Sequence, residues 1–151
     1  MSAPGFAGGC ACGALRYEVS DSAGFVPYAC HCRECQTRGG GACAVQLVVL
    51  ETNLSVTGAA LVGQVPKPDG AVVTHHGCAA CLTRLYTRNS ARPGIVTLRA
   101  GTRDDSSELI PAFHIWTASK QPWVMIPTDV PSYAGHVPDL PTWLRLLRPE
   151  A

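Results

Sequence analysis

The chain has 151 residues, 46% of them apolar and 15% charged, a composition that excludes a disordered polypeptide and supplies a core. Twelve basic and eleven acidic residues are scattered to a formal net charge of +1, so neither a nucleic-acid-binding block nor a polybasic membrane patch is expected. No apolar stretch approaches the ~20 residues that span a bilayer.

In chain order, Met1 to Gly9 carries neither a basic leader nor an apolar run, so no secretory signal is expected. Leu15-Arg16-Tyr17-Glu18-Val19 alternates as a half-buried strand does. Phe25–Ala29 is a second extended stretch, and the Val-rich run Ala44–Leu50 predicts a buried strand. Gly39-Gly40-Gly41 lacks the Lys and following helix of a phosphate loop and reads as a flexible connection. Ala71–His75, Arg84–Thr87, Gly94–Arg99 and Ala112–Thr117 are further strand candidates, with a turn expected at Gly101–Asp105 in place of a catalytic Asp104–Asp105 pair. The one expected helix is Pro141–Leu147, with proline at its start. Fifteen glycines and twelve prolines punctuate these runs at short intervals, which favours an antiparallel, mainly β fold with a short C-terminal helix. No linker divides the chain, so residues 1–151 are expected to form a single zinc-binding domain.

Zinc is expected because the chain has eight cysteines and seven are clustered: Cys10 and Cys12; Cys30, Cys32 and Cys35; Cys78 and Cys81. A chain of this length needs no disulfide staples, and without a secretory signal its expected location is the reducing cytoplasm. Tight Cys spacing aims several thiolates at one ion. Spacing alone permits two partitions. Cys32, Cys35, Cys78 and Cys81 would make a ribbon-like site. Alternatively Cys10 and Cys12 join Cys78 and Cys81, leaving Cys30, Cys32 and Cys35 together. The second partition has a physical argument, since three thiols within six residues can face one ion from a compact turn. It also leaves a coordination position open for chemistry. His31 alternates away from Cys30 and Cys32 and is not expected on the same ion. Cys43 reads as a small core hydrophobe, and His114 as a structural histidine in its strand.

Gly9-Cys10-Ala11-Cys12-Gly13 with Tyr17, then Cys30-His31-Cys32-Arg33-Glu34-Cys35-Gln36, then Cys78-Ala79-Ala80-Cys81, stand in a specific order. Pro93-Gly94, Ala100–Asp105, His114-Ile115-Trp116 and Pro122-Trp123 continue it. Over roughly residues 8 to 126 the chain resembles the glutathione-dependent formaldehyde-activating enzymes, a family grouped with centromere protein V. The resemblance implies a β-tent, or Mss-four-like, fold. It implies structural zinc at Cys10, Cys12, Cys78 and Cys81, and catalytic zinc at Cys30, Cys32 and Cys35. Two positions depart from the family pattern. Leu82 stands where a glycine usually follows the last knuckle cysteine, at a cost of about 1–2 kcal/mol if the backbone there is left-handed, so a reshaped knuckle is expected. Thr37-Arg38-Gly39-Gly40-Gly41 replaces a Ser-Gly element near the open site.

Zinc is redox-silent and acts as a Lewis acid that favours an anionic ligand. A thiolate beside an aldehyde carbonyl adds to it, and the reverse reaction cleaves the carbon–sulfur bond. The resemblance therefore implies a carbon–sulfur lyase-type enzyme, with glutathione as thiol and formaldehyde as aldehyde. Arg33, Arg38, Arg84 and Arg103 are candidates to meet the two glutathione carboxylates. The alternative is a non-catalytic zinc module that binds a partner protein. Seven bound thiolates and two zinc ions would take the formal charge to about −2, which argues against nucleic acid as the partner.

Overall fold

The computed structural model describes residues 2–149; Met1, Glu150 and Ala151, at the ends of the expected 1–151 unit, lie outside the described residues. In chain order the elements are β1 (Phe6–Gly9), β2 (Arg16–Val19), β3 (Tyr28–Cys30), α1 (Arg33–Gly39), β4 (Ala44–Leu50), β5 (Leu54–Thr57), β6 (Ala60–Pro66), β7 (Val72–Cys78), β8 (Arg84–Asn89), β9 (Ile95–Arg99), β10 (His114–Ile115) and α2 (Leu140–Leu147). They form a three-stranded sheet in the order β1-β2-β5 and a seven-stranded sheet in the order β10-β3-β4-β9-β8-β7-β6. All strand pairs are antiparallel except β10 with β3, which run parallel.

Strand β4 explains how the layers stack. Its side chains alternate between faces, so Leu47 and Val49 point one way while Gln46 and Val48 point the other. Leu47 and Val49, with Val96 and Leu98 of β9, pack against Tyr17 and Val19 of the small sheet. Val48 lies in a second core with Tyr28, Phe113, Ile115 and, from α2, Trp143 and Leu147. The large sheet is thus covered on both faces at β4, which is why this strand reads as a nearly unbroken apolar run. The architecture is the mainly β tent with a short C-terminal helix that the sequence implies. Helix α2 begins on Asp139, whose carboxylate accepts from the Thr142 N–H at 2.8 Å.

Several elements differ from the expectation. Phe25–Ala29 is strand only from Tyr28, and Ala112–Thr117 only at His114–Ile115. The glycine run is no loose connection. Gly39 ends α1, and Gly40, at φ 66°, caps it by donating its N–H to the Gln36 carbonyl.

Candidate metal centres

All eight cysteines are free thiols, and seven gather into two clusters, each with sulfurs within 4.8 Å of one another. Cys10 and Cys12 lie in the β1–β2 turn, where Cys10 N–H donates to the Leu15 carbonyl and Leu15 N–H to Cys10 Sγ at 3.2 Å. Cys78 ends β7 and Cys81 follows in the turn to β8; the Ala80 and Cys81 N–H groups both donate to Cys78 Sγ. These two turns, one from each sheet, bring Cys10, Cys12, Cys78 and Cys81 together. Four sulfurs at ~2.3 Å around a tetrahedral ion stand ~3.8 Å apart. Here Cys10 and Cys12 are 3.5 Å apart, and Cys12 and Cys78 3.8 Å, so the residues fit such an ion. Thr83 hydrogen bonds take the Cys81 thiol down to about 5. Cys12, although the Ala14 N–H favours its anion, is pushed up to about 11 by Cys10 and Cys81. Crowded thiols of this kind ionise together only around a cation.

The second cluster is local. Cys30 ends β3, Cys32 is the N-cap of α1 with its sulfur accepting from Cys35 N–H at 3.3 Å, and Cys35 sits in the first turn. Three thiols meet here because the strand hands directly to a helix. Their mutual hydrogen bond raises the Cys30 thiol and lowers that of Cys35, which burial opposes and the Arg99 guanidinium assists. Gln46 Nε2 reaches Cys35 Sγ at 3.5 Å, and its other end accepts from Tyr28 Oη at 2.6 Å. Gln46 and Tyr28 also line a cleft of about 700 Å³ that runs along the sheet to Trp143, Leu144 and Leu147 of α2. The three cysteines do not line that cleft themselves; Gln46 and Tyr28 link it to Cys35.

The sequence pattern of the glutathione-dependent formaldehyde-activating enzymes matches residues 5–119, a span that contains both clusters. The chain belongs to that family. A crystal structure of a Rhodobacter sphaeroides protein, solved as a structural-genomics target, shares the fold with a TM-score of 0.52. It is 20% identical, and the alignment covers 66% of this chain and 88% of that one. Among curated proteins, no sequence matches this chain significantly.

The formaldehyde-activating family's spacing therefore resolves here into a four-plus-three partition, and the ribbon-like alternative is not formed. His31 is fully buried and stands outside the three-sulfur group, its Nε2 at 2.9 Å from His114 Nδ1. His114 thus has a structural partner. Cys43 is half-buried, so it is not the core residue expected. Leu82 does not reshape the knuckle: it adopts φ 63° and its N–H bonds the Cys78 carbonyl at 3.0 Å. Asp104 forms a two-pronged ion pair with Arg16 and belongs to neither cluster. Of the four nominated arginines, Arg103 lies 4.6 Å over the Phe6 ring beside the small sheet, and exposed Arg33 bonds Gln36. Arg84 does stand near Cys35, and Arg38 stands near Arg84. Sequence reading missed Arg99 and Gln46. The lone polar residue inside the run Ala44–Leu50 was the available signal for Gln46.

Proposed function

We propose that the chain forms and cleaves a thiol–aldehyde adduct such as S-hydroxymethylglutathione, a carbon–sulfur lyase-type reaction, using one zinc ion at each cluster. The observation that carries this reading is the three-sulfur set of Cys30, Cys32 and Cys35, joined through Gln46 to an open cleft. Four sulfurs at the other cluster complete a tetrahedral shell and suit a structural role; three leave a position for a substrate thiol. When bound at the three-cysteine site, zinc supplies Lewis acidity and holds a substrate thiol as its anion.

This chain's own residues orient that site. Tyr28 fixes Gln46, and Gln46 donates to Cys35 Sγ, so the sulfur keeps its direction and charge. The α1 backbone ties Cys32 to Cys35 through one N–H. In the addition, the substrate sulfur forms a bond to the carbonyl carbon and the C=O π pair moves to oxygen, which takes a proton. The thiol has already lost its own proton, so the step is neutral overall and needs no redox partner. The eight free thiols support a reducing, cytoplasmic setting, and the core shared by both sheets supports a single domain spanning 1–151. Among the described residues no helix is long and apolar enough to cross a membrane.

The alternative, a zinc module that docks a partner protein, draws on β6, an edge strand with Leu61 and Val62 each 54% exposed. Exchange NMR on an equilibrium mixture of formaldehyde, glutathione and their adduct separates the two. The zinc-loaded protein is expected to speed exchange with no nicotinamide consumed. An unchanged rate across glutathione and other small thiols would overturn the enzyme reading in favour of docking.

A further inference from the structure

Helix α2 carries more apolar surface than the core beneath it uses. Leu140, Trp143, Leu144 and Leu147 recur at i, i+3, i+4 and i+7, the stripe with which a helix packs. Trp143 and Leu147 are buried in the second core, but Leu140 and Leu144 stay exposed. All four line the cleft of about 700 Å³ between α2 and the large sheet, within the roughly 300–1,000 Å³ of small-molecule sites. Val48, Thr97 and Thr87 form its floor; they are paired side by side on β4, β9 and β8 and so share a face. Val73 and Ile95 also line it, so two neighbouring hydroxyls stand among apolar side chains. The charged residues of the lining are engaged at the α2 end: Asp139 caps the helix, and the Arg92 guanidinium lies 5.9 Å from the centre of the Trp143 ring. Strands β4, β9 and β8 are interior to the sheet, so their backbone groups are already paired and none is left for a peptide strand.

We infer that this cleft binds a neutral, ring-bearing small molecule, with its apolar body against Trp143 and Leu144 and one hydrogen-bonding group on the Thr87 and Thr97 hydroxyls. Covering the two exposed leucines drives the binding. A flat ring suits a wall that presents Trp143 and Tyr28, because aromatic edges and faces pack on one another. Hydroxyls both donate and accept, so they match a neutral oxygen or nitrogen group, and the floor itself carries no charge to hold an ion. The site goes beyond the proposed reaction and does not depend on it. No cysteine lines the cleft, and its α2 wall lies outside the span that contains both clusters.

Equilibrium dialysis of the zinc-loaded protein against 2-naphthol, 2-methylnaphthalene, phenol and naphthalene-2-carboxylate tests it. 2-Naphthol is expected to bind at least about tenfold more tightly than phenol, the scale set by the apolar area of a second ring. Leu144→Glu, which sets a charge at the mouth, should weaken 2-naphthol at least about tenfold with zinc content and circular dichroism unchanged. Ile110→Glu, at an exposed position outside the cleft, should leave binding as it was. If Leu144→Glu does not fold, Leu144→Ser should weaken 2-naphthol about threefold. In the Thr87→Val, Thr97→Val double variant, affinity for 2-naphthol relative to 2-methylnaphthalene, which has the same shape, should fall at least about threefold. No saturable binding by the parent, binding untouched by the Leu144 changes, or an unmoved ratio in the double variant overturns the inference. Naphthalene-2-carboxylate binding more tightly than 2-naphthol would overturn the neutral class and point to Arg92. A concentration-dependent dimer that Leu144→Glu dissolves, with no naphthol bound, would overturn it in favour of a second copy covering α2.

Discussion

The two cysteine clusters use the same donor atom and are built in opposite ways. Cys10 and Cys12 come from the hairpin of one sheet, and Cys78 and Cys81 from a hairpin of the other, so an ion there clips the sheets across a long loop of chain. Closing such a loop removes much of the unfolded chain's freedom. Cys30, Cys32 and Cys35 come from six consecutive residues that are already arranged by β3 and α1. An ion there organises little that the backbone has not organised. Even the cores differ: Cys10 and Cys78 pack between the sheets, Cys30 on the opposite side with α2. On the proposed reading, the set drawn from distant segments is a fold element, and the set drawn from a single segment is left for chemistry.

The largest expected effect breaks this contrast most directly. Cys81→Ser should leave a chain that unfolds or aggregates, by circular dichroism and sedimentation. Cys32→Ser should stay folded, because serine also caps a helix, and should lose thiol binding. The reverse pattern would exchange the two roles. Next in size is the metal count. Protein purified without chelator should carry about two zinc ions, and graded chelator should remove the three-sulfur ion first because it has fewer protein ligands. Zinc analysis that stays at one ion after supplementation would leave one cluster without its role.

A smaller probe sharpens the four-cysteine side. Leu82 is 70% exposed at φ 63°, so its side chain contributes little packing while its backbone is strained. Leu82→Gly should stabilise the protein by about 1 kcal/mol, read as a rise of a few degrees in thermal midpoint. The smallest effect lies on the other side. Thr142 N–H bonding holds the Asp139 carboxyl below its ordinary value. The cap therefore contributes fully above the unfolded value and is lost as pH falls through the lower folded value. Asp139→Ala should lower the midpoint slightly at neutral pH, with the difference from the parent vanishing in that acid window.

Legibility followed side-chain period and spacing. Strands β2, β4, β8 and β9 showed in the sequence because alternation marks one covered face and an apolar run marks two. Helix α2 showed through its proline and apolar spacing. Strand β1 was hidden because Gly8 must be glycine: a Cβ there would collide with the Tyr17 hydroxyl and the Thr102 carbonyl. Strand β6, exposed along almost its whole length at the sheet edge, has no buried face to impose a pattern. Helix α1 is seven residues long and capped by a cysteine sulfur, which ordinary capping preferences do not flag. The thiols of the candidate site were legible from spacing and family resemblance. Arg99 and Gln46 were not, because only the sheet register sets them near Cys35.

Helix α2 lies beyond residue 119, where the family match stops, yet it supplies one wall of the cleft that begins at Gln46. The seven clustered cysteines and the groups that hydrogen-bond their sulfurs sit inside the matched span. The wall is an appendage, anchored by Trp143 and Leu147, while Leu144 faces the opening at 48% exposure. Rewriting that one terminal helix would change the size and polarity of what lies along the cleft while every cysteine kept its place in the chain.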